Sequence, residues 1–356
     1  MLISIIAVVL TFGLVIFFHE LGHFLMCKWN KIKVETFAFG FGPSLKKWKK
    51  GDTEYQINII PLGGFVKAAG DNLQETKGKP YEYFSKPWYT RFMVALSGPI
   101  MNYIVAFILF ALVIFFRGIP VYSDKSVIGE MMEGYPAQAA GLQVGDKITE
   151  LNGKKIDSWQ AMSRVIHSSP EKSLKVKYLR DGKESTILLT PKEDPANQVG
   201  VMGISPTVEF KHIGLFKSIA AGGHQCYYWT SYSIVTLAKT LYHKKKPDIA
   251  GPLGIVHIIG KTAKKGIADL VFLVALISVA IGFFNLFPIP ILDGGHMLLY
   301  LLEGISRKKI SEKVMVIANS VGIVILLFIF VFATFNDIMR IAKSAKGKTT
   351  ETSQLQ

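Results

Sequence analysis

LISIIAVVLTFGLVIFFHELGHFLMC, residues 2–27, is one apolar run interrupted by a histidine, a glutamate and a second histidine. A helix crossing the ~30 Å hydrocarbon core needs about 20 mostly apolar residues, and this run supplies them. It lacks the basic start and small-residue cleavage site of a secretion signal, so it is expected to stay as a first span. Its lysines follow it, at Lys28, Lys31 and Lys33. That order predicts an N-terminus outside the cell and Lys28 in the cytoplasm.

An acid inside a span costs roughly 2.5–3.5 kcal/mol or more and is kept for function. His19-Glu20-Leu21-Gly22-His23 has the HExxH spacing. On a helix, residues four apart share a face, one turn above the other. Two imidazoles so placed can share a tetrahedral Zn²⁺, with Glu20 beside them as general base toward the attacking water. By itself the pattern also fits two histidines and a solvated glutamate at the wet end of a helix. Its position inside an apolar run argues for the metal.

Three more runs approach spanning length: 92–116, one starting near residue 270, and 314–335. A catalytic zinc takes three protein ligands and leaves a fourth position open, so an anion from another span is expected. The acid deep in the third run is Asp293, within NLFPIPILDGG, residues 285–295. Two prolines and two glycines break the helix around it, and such breaks at membrane depth mark binding sites. His296, three residues on, is an alternative ligand but is expected beside the metal or at the surface.

The 356 residues carry a net charge of +15, with 50% hydrophobic and 12% aromatic content. That composition excludes a disordered chain. The basic balance fits nucleic acid or an anionic membrane, and the long apolar runs decide for the membrane, with no nucleic-acid partner. Segment 28–91 holds twelve Lys/Arg against six Asp/Glu, and the link 303–313 is also basic. Both are expected in the cytoplasm, which turns 117–267 outward. Residues 218–238 contain no Asp, Glu, Lys or Arg but many Tyr, Trp, Ser and Thr, so an interfacial helix is expected there. A crossing at that point would put Asp293 on the wrong side of the membrane from His19 and His23. Cys27 and Cys226 are too few for a disulfide framework and fall on opposite sides in this topology.

With HELGH in the first span and NLFPIPILDGG in the third, the chain resembles the RseP-like bacterial site-2 proteases over about residues 2–340. The resemblance implies a zinc cofactor held by His19, His23 and Asp293, with Glu20 as the catalytic base. It implies that Asn285, Pro288 and Pro290 help seat an unwound substrate strand. FGFGP (39–43, with Gly42) and IPLGGF (60–65, with Gly63) bracket alternating residues, as in Phe37, Phe39, Phe41 and Tyr55, Ile57, Ile59. In the family such a region is a β-rich loop that re-enters the membrane and offers an edge strand to substrate. Asn102, after Ser97-Gly98-Pro99, opens the second span as in the family and joins the substrate site, although an Asn there also suits a hydrogen bond between helices.

Residues 121–206 read as a soluble unit with turn glycines and Asn152-Gly153 between apolar strands, and resemble a PDZ domain. Gly200, Val201, Met202, Gly203 and Ile204 match its peptide groove. One copy is visible, and the domain either binds a peptide tail or excludes bulky ectodomains.

The expected fold is a polytopic α-helical membrane protein with four transmembrane helices, a re-entrant β-rich loop and one extracytoplasmic PDZ-like α/β domain. Its segments are a first helix at 1–27, the β-rich loop at 28–91, a second helix at 92–116 and the PDZ-like domain at 121–206. An interfacial segment at 211–265, a third transmembrane segment at 268–302, a fourth helix at 314–340 and a polar tail at 341–356 complete it. The implied function is an intramembrane zinc metalloprotease of the bacterial cytoplasmic (inner) membrane, with the active site toward the cytoplasm. Its substrates would be transmembrane proteins, anti-sigma factors or signal-peptide remnants, first trimmed outside by an upstream site-1 protease. The rival reading is a non-catalytic membrane scaffold that binds clients through its PDZ domain.

Overall fold

A computed structural model of the chain describes residues 2–194, 198–242 and 251–353. It divides into two units, Met1–Phe115 with Gly214–Gln356, and Phe116–Ile213. The first unit opens with α1 (Leu2–Trp29), strands β1 (Val34–Lys50) and β2 (Thr53–Ala68), and α2 (Trp88–Arg117). The second unit contains β3 (Ile119–Tyr122), β4 (Ile128–Met131), α3 (Pro136–Ala139), β5 (Lys147–Leu151), β6 (Lys154–Lys155) and α4 (Trp159–His167). It continues through β7 (Leu174–Arg180), β8 (Lys183–Leu189), β9 (Lys192–Asp194), β10 (Val199–Val201), β11 (Ile204–Pro206) and β12 (Val208–Lys211). The first unit then resumes with α5 (Leu215–Tyr242), α6 (Pro252–Lys265), α7 (Ile267–Asn285), α8 (Asp293–Ser306) and α9 (Glu312–Ser353).

Among the described residues four helices are long and apolar enough to cross a membrane: α1, α2, α7 and the Glu312–Met339 part of α9. The protein is a multi-pass membrane protein. Helices α1 and α2 run antiparallel and close together, because Gly22 meets the Ser97 backbone and Gly98 meets the rings of His19 and His23. Small residues let helix backbones approach where lipid gives no hydrophobic drive to associate. Helix α8 is held to α2 by a buried ion pair between Arg91 and Glu303. The Arg91 guanidinium also lies 4.8 Å from the Tyr300 ring centre, and its Nε donates to the Lys86 carbonyl at 3.1 Å.

The stretch expected to be interfacial, 211–265, holds α5 and α6. Helix α5 runs antiparallel beside α2: Gly222 lies against Phe107 and Ala111, and Thr230 Oγ1 is 3.0 Å from Tyr103 Oη. Cys226 and Trp229 pack on a core of Ala106, Phe110, Ala275 and Val279 from α2 and α7, while Tyr227, Tyr228 and Tyr232 are exposed. The Thr230 and Ser233 hydroxyls bond the carbonyls one turn back. At the start of α6, Gly251 and Gly254 N–H donate to Asp337 of α9, and further along it Gly260 packs on Ser4 of α1.

Strands β1 and β2 are each bent into two segments, and the four segments form three ladders. Residues 44–50 pair with 53–58, and 34–41 pair with 60–68. Residues 36–39 also pair with 54–57, so the first half of β1 is flanked on both sides. The bends need left-handed backbone at Gly40 (φ +87°) and Gly42 (φ +83°), where other residues are strained. Gly13 of α1 touches the Pro61 carbonyl at the bent end, and Lys28 Nζ donates to Thr53 Oγ1 at 2.6 Å at the turn end.

In the second unit β6-β5-β7-β8 form an antiparallel sheet over a core that includes Ile128, Ile148, Leu151, Met162, Leu174 and Val176. Asp146 is fixed by two bonds from Arg180, both 2.7 Å. Burial works against its charge, yet those bonds hold the carboxyl below its ordinary range.

Removing one partner of a buried ion pair strands the other, at roughly 3–5 kcal/mol. Glu303→Ala should therefore lower the unfolding temperature of the detergent-solubilised protein far more than Arg91→Met with Glu303→Leu together, as read by thermal unfolding. Equal losses for the single and double variants would contradict the buried pairing.

Candidate active site

Helix α1 places His19 and His23 on one face, with ring centres 4.8 Å apart and ring planes at 86°. Their Nε2 atoms face each other at 3.2 Å. Asp293 comes from the first residue of α8, after a loop built to break the helix. Pro288 and Pro290 cannot donate to a helical ladder, and Ile291 sits at φ +78°, a strained value for a β-branched residue. Short turns satisfy the freed backbone: Ile289 N bonds Phe287 O, Leu292 N bonds Ile289 O, and Gly295 N bonds Leu292 O. A side chain on Gly294 or Gly295 would collide with the carbonyls of Leu286, Phe287 and Ile289. The glycines let α8 start directly against that loop, which turns the carboxylate to the histidines. Asp293 Oδ2 is 3.1 Å from His19 Nε2, and Oδ1 is 3.4 Å from His23 Nε2.

The donor set can be tested for a metal. His23 Nδ1 is 2.8 Å from the Val94 carbonyl, an acceptor, so Nδ1 carries the proton and Nε2 presents a lone pair. The buried Asn102 amide lies 3.2 Å from His19 Nδ1. The atom facing the ring is Asn102 Nδ2, while its Oδ1 is buried without a partner. Exchanging the two amide ends would let His19 Nδ1–H donate to Oδ1 and free Nε2 as well. In that arrangement two lone pairs and a carboxylate converge, and Asp293 Oδ2 is buried with no hydrogen bond. Like acceptors repel unless a cation joins them. Ligand atoms bonded at ~2.0–2.2 Å to one tetrahedral zinc lie about 3.3–3.6 Å apart. The two Nε2 atoms stand 3.2 Å apart, and each has a different Asp293 oxygen near it, at 3.1 and 3.4 Å. Among the described residues these three are the group able to hold a metal.

Glu20 is half-buried beside them. Its carboxylate meets the Val66 backbone N–H, and its Cγ lies 3.7 Å from the position a Cβ on Gly64 would take. A cavity of about 550 Å³ is lined by Glu20, His23 and Asp293 and also by Asp71, Gln74 and Glu312.

A scan of family models matches residues 7–329 to peptidase family M50. The chain belongs to peptidase family M50. It is similar to zinc metalloprotease RasP of Geobacillus kaustophilus, 29% identical over 95% of this chain and 98% of the relative. The regulator of sigma-W protease RasP of Bacillus subtilis is 28% identical, over 95% and 99%. A relative from Clostridium acetobutylicum with a zinc metalloprotease name is 32% identical over 94% and 97%. The PDZ domain of an SdrC-like protein of Listeria monocytogenes is 26% identical over 25% of this chain and 93% of its own, with a TM-score of 0.21. The protein is a zinc metalloprotease of the site-2 protease family.

In this M50 chain the other expected residues fall differently. Asn285, the last residue of α7, is half-buried, and its amide has no partner among the described residues. Pro288 is exposed, while the Pro290 carbonyl packs against Gly322 of α9. Asn102, expected at the substrate, is instead fully buried against His19, so it acts on a ring that faces the metal position. Gly42 forms a bend of β1, and buried Gly63 (φ +151°) lies under the Phe41 ring. His296 lines the cavity with a buried Nδ1 lacking a partner, and stands outside the metal group. In the second unit Val201, Met202, Gly203 and Ile204 line a cavity of about 530 Å³ with Trp159, Met162 and Ile166, while Gly200 packs beneath it on the Ile166 carbonyl.

Sequence reasoning quoted Gly98 beside Asn102 but gave it no role at the site. A Cβ there would come 2.5 Å from His23 Nε2 and 2.7 Å from His19 Cε1. Its signal was a glycine inside an otherwise apolar span, one turn from the Asn that meets His19. Gly98→Ala gains roughly 1 kcal/mol of helix propensity, so the helix should persist. It should nonetheless lose stoichiometric zinc, measured by atomic emission on the purified protein. Full zinc occupancy in that variant would contradict the close approach.

Proposed function

We propose that this M50 protease hydrolyses peptide bonds within or beside transmembrane segments, using Glu20 as general base at a zinc held by His19, His23 and Asp293. The observation that carries this is the convergence of His19, His23 and Asp293 beside Glu20, among helices of spanning length. Zinc bound there supplies Lewis acidity and lowers the pKa of its water to about 7. The Glu20 carboxylate takes the proton from the attacking water and returns it to the leaving amide nitrogen. Asn102 and the Val94 carbonyl hold the two imidazoles in the tautomer that binds metal.

A helical peptide bond is shielded by its own ladder, so the substrate must become extended before it is cut. Residues 64–68 of β2 pair with β1 on one side, and on the other the Val66 N–H is turned toward Glu20. That edge adds the unwound substrate as a further strand and satisfies its released backbone groups. The unpartnered amide of Asn285 bonds the same strand, with Pro288 and Pro290 keeping the neighbouring loop open. Water reaches Glu20 through the polar mouth at Asp71, Gln74 and Glu312, which we assign to the cytoplasmic side from the basic surroundings of 28–91.

The second unit is a PDZ-like domain, which we assign to the extracytoplasmic side from the same charge pattern and which excludes substrates with bulky ectodomains. The substrates are single-span proteins of the inner membrane, anti-sigma factors or signal-peptide remnants, shortened first by a site-1 protease. The name of the Bacillus subtilis relative, a regulator of sigma-W, favours the first class. A non-catalytic scaffold has no use for a base beside a metal site.

Glu20→Gln should keep zinc and lose at least ~100-fold of the cleavage rate on a model transmembrane substrate, the range ascribed to a general base. Cleavage equal to wild type would refute the assignment, and loss of zinc would make Glu20 a ligand.

A further inference from the structure

The bent sheet of β1 and β2 has two chemically opposite ends. One end exposes Phe41, Ile59, Ile60 and Leu62. Towards the other end the outer strand carries Lys46 and Lys47, opposite Ile57 and Gln56, then Lys49 and Lys50, opposite Glu54 and Thr53 at the turn. All four are exposed around Trp48, whose ring stacks on Tyr55 with centres 5.6 Å apart. Lys47 Nζ reaches Glu54 at 3.7 Å, and Asp52 pairs with Lys33 at 3.7 Å. Lys46, Lys49 and Lys50 have no acidic partner among the described residues. The lysine end is therefore a cationic surface that the protein does not neutralise.

Helix α1 gives the distance between the two ends. The apolar end meets α1 at Gly13 and the turn beside the lysines meets it at Lys28. Those fifteen residues of helix rise about 22 Å at 1.5 Å each. From the midplane of a bilayer to the outer limit of its headgroups is about 20–22 Å. The sheet thus spans one leaflet, apolar in the acyl region and cationic at the phosphates. Trp48 and Tyr55 stand at the same end as the lysines, at the level interfacial aromatic residues prefer.

We propose that the lysine end binds the phosphates of anionic phospholipids in the leaflet beside Lys28, and that this contact sets the depth of the β2 edge next to Glu20. The partner is a lipid surface because the cationic end is continuous with an apolar end exposed to acyl chains, which a soluble anion would not cover. Anionic headgroups attract lysines near the surface additively, and salt weakens the attraction. Only the depth-setting half rests on the protease reading above.

The test uses the full protein reconstituted in phosphatidylcholine vesicles, with or without phosphatidylglycerol. Trp48 is read by quenching with brominated lipids, taking the difference from Trp48→Phe to isolate its signal. Wild type should be quenched several-fold more by brominated phosphatidylglycerol than by brominated phosphatidylcholine, and molar salt should erase the preference. The combined variant Lys46→Ser, Lys47→Ser, Lys49→Ser, Lys50→Ser should show no preference, while the four corresponding Lys→Arg changes should keep it. Cleavage of a model transmembrane substrate should be several-fold faster with phosphatidylglycerol for wild type and independent of it for the Ser variant. Equal quenching by the two lipids, or a preference that survives the Ser changes, overturns the proposal. A quenching preference with no cleavage in either lipid supports the lipid contact and sinks the protease reading instead. A preference with active but lipid-indifferent cleavage overturns the depth-setting half.

Discussion

Two imidazole nitrogens and a carboxylate meet within 3.4 Å of one another inside a helical bundle, and the rest of the membrane unit is arranged around that meeting. His19 and His23 alone need only one helix. Adding Asp293 requires a second chain segment to arrive at the same depth, with its helix broken and its backbone still satisfied. The prolines, the strained Ile291 and the paired glycines of residues 285–295 meet that demand. Gly98 and Gly22 meet another, allowing α2 close enough for Val94 and Asn102 to orient the rings. The buried Arg91–Glu303 pair then holds α8, and with it Asp293, in register with α2.

The sheet of β1 and β2 links this centre to its surroundings. One edge faces Glu20 through Val66, one end touches α1 at Gly13, and the other is tied to Lys28. A displacement of the sheet along α1 would therefore move the strand edge past Glu20. Under the proposed function, chemistry, substrate unwinding and depth in the bilayer share this one element.

Much of the site was legible in the amino-acid sequence, for a physical reason. Ionisable groups in an apolar span are expensive, so HELGH and Asp293 stood out against their neighbours, and matching their depths constrained the path between them. Contacts across distant segments were not legible. Asn102 looked like a substrate contact because nothing local reveals that its partner is a ring 83 positions earlier. That Cys226, Trp229 and Thr230 of α5 meet Tyr103, Ala106 and Phe110 was hidden as well, because those partners lie on another helix. The double fold of β1 and β2 was hidden because alternation specifies a strand face, while the bends depend on which segments pair. The four apolar helices needed no such information.

The central claim is that zinc is held by two histidines and one carboxylate, and zinc-edge X-ray absorption of the purified protein tests it most directly. The account predicts only nitrogen and oxygen neighbours at about 2.0–2.2 Å, with imidazole scattering from two rings and loss of an oxygen neighbour in Asp293→Asn. A sulfur neighbour at about 2.3 Å, which Cys27 at the cavity wall would supply, or a spectrum unchanged in Asp293→Asn, would contradict it.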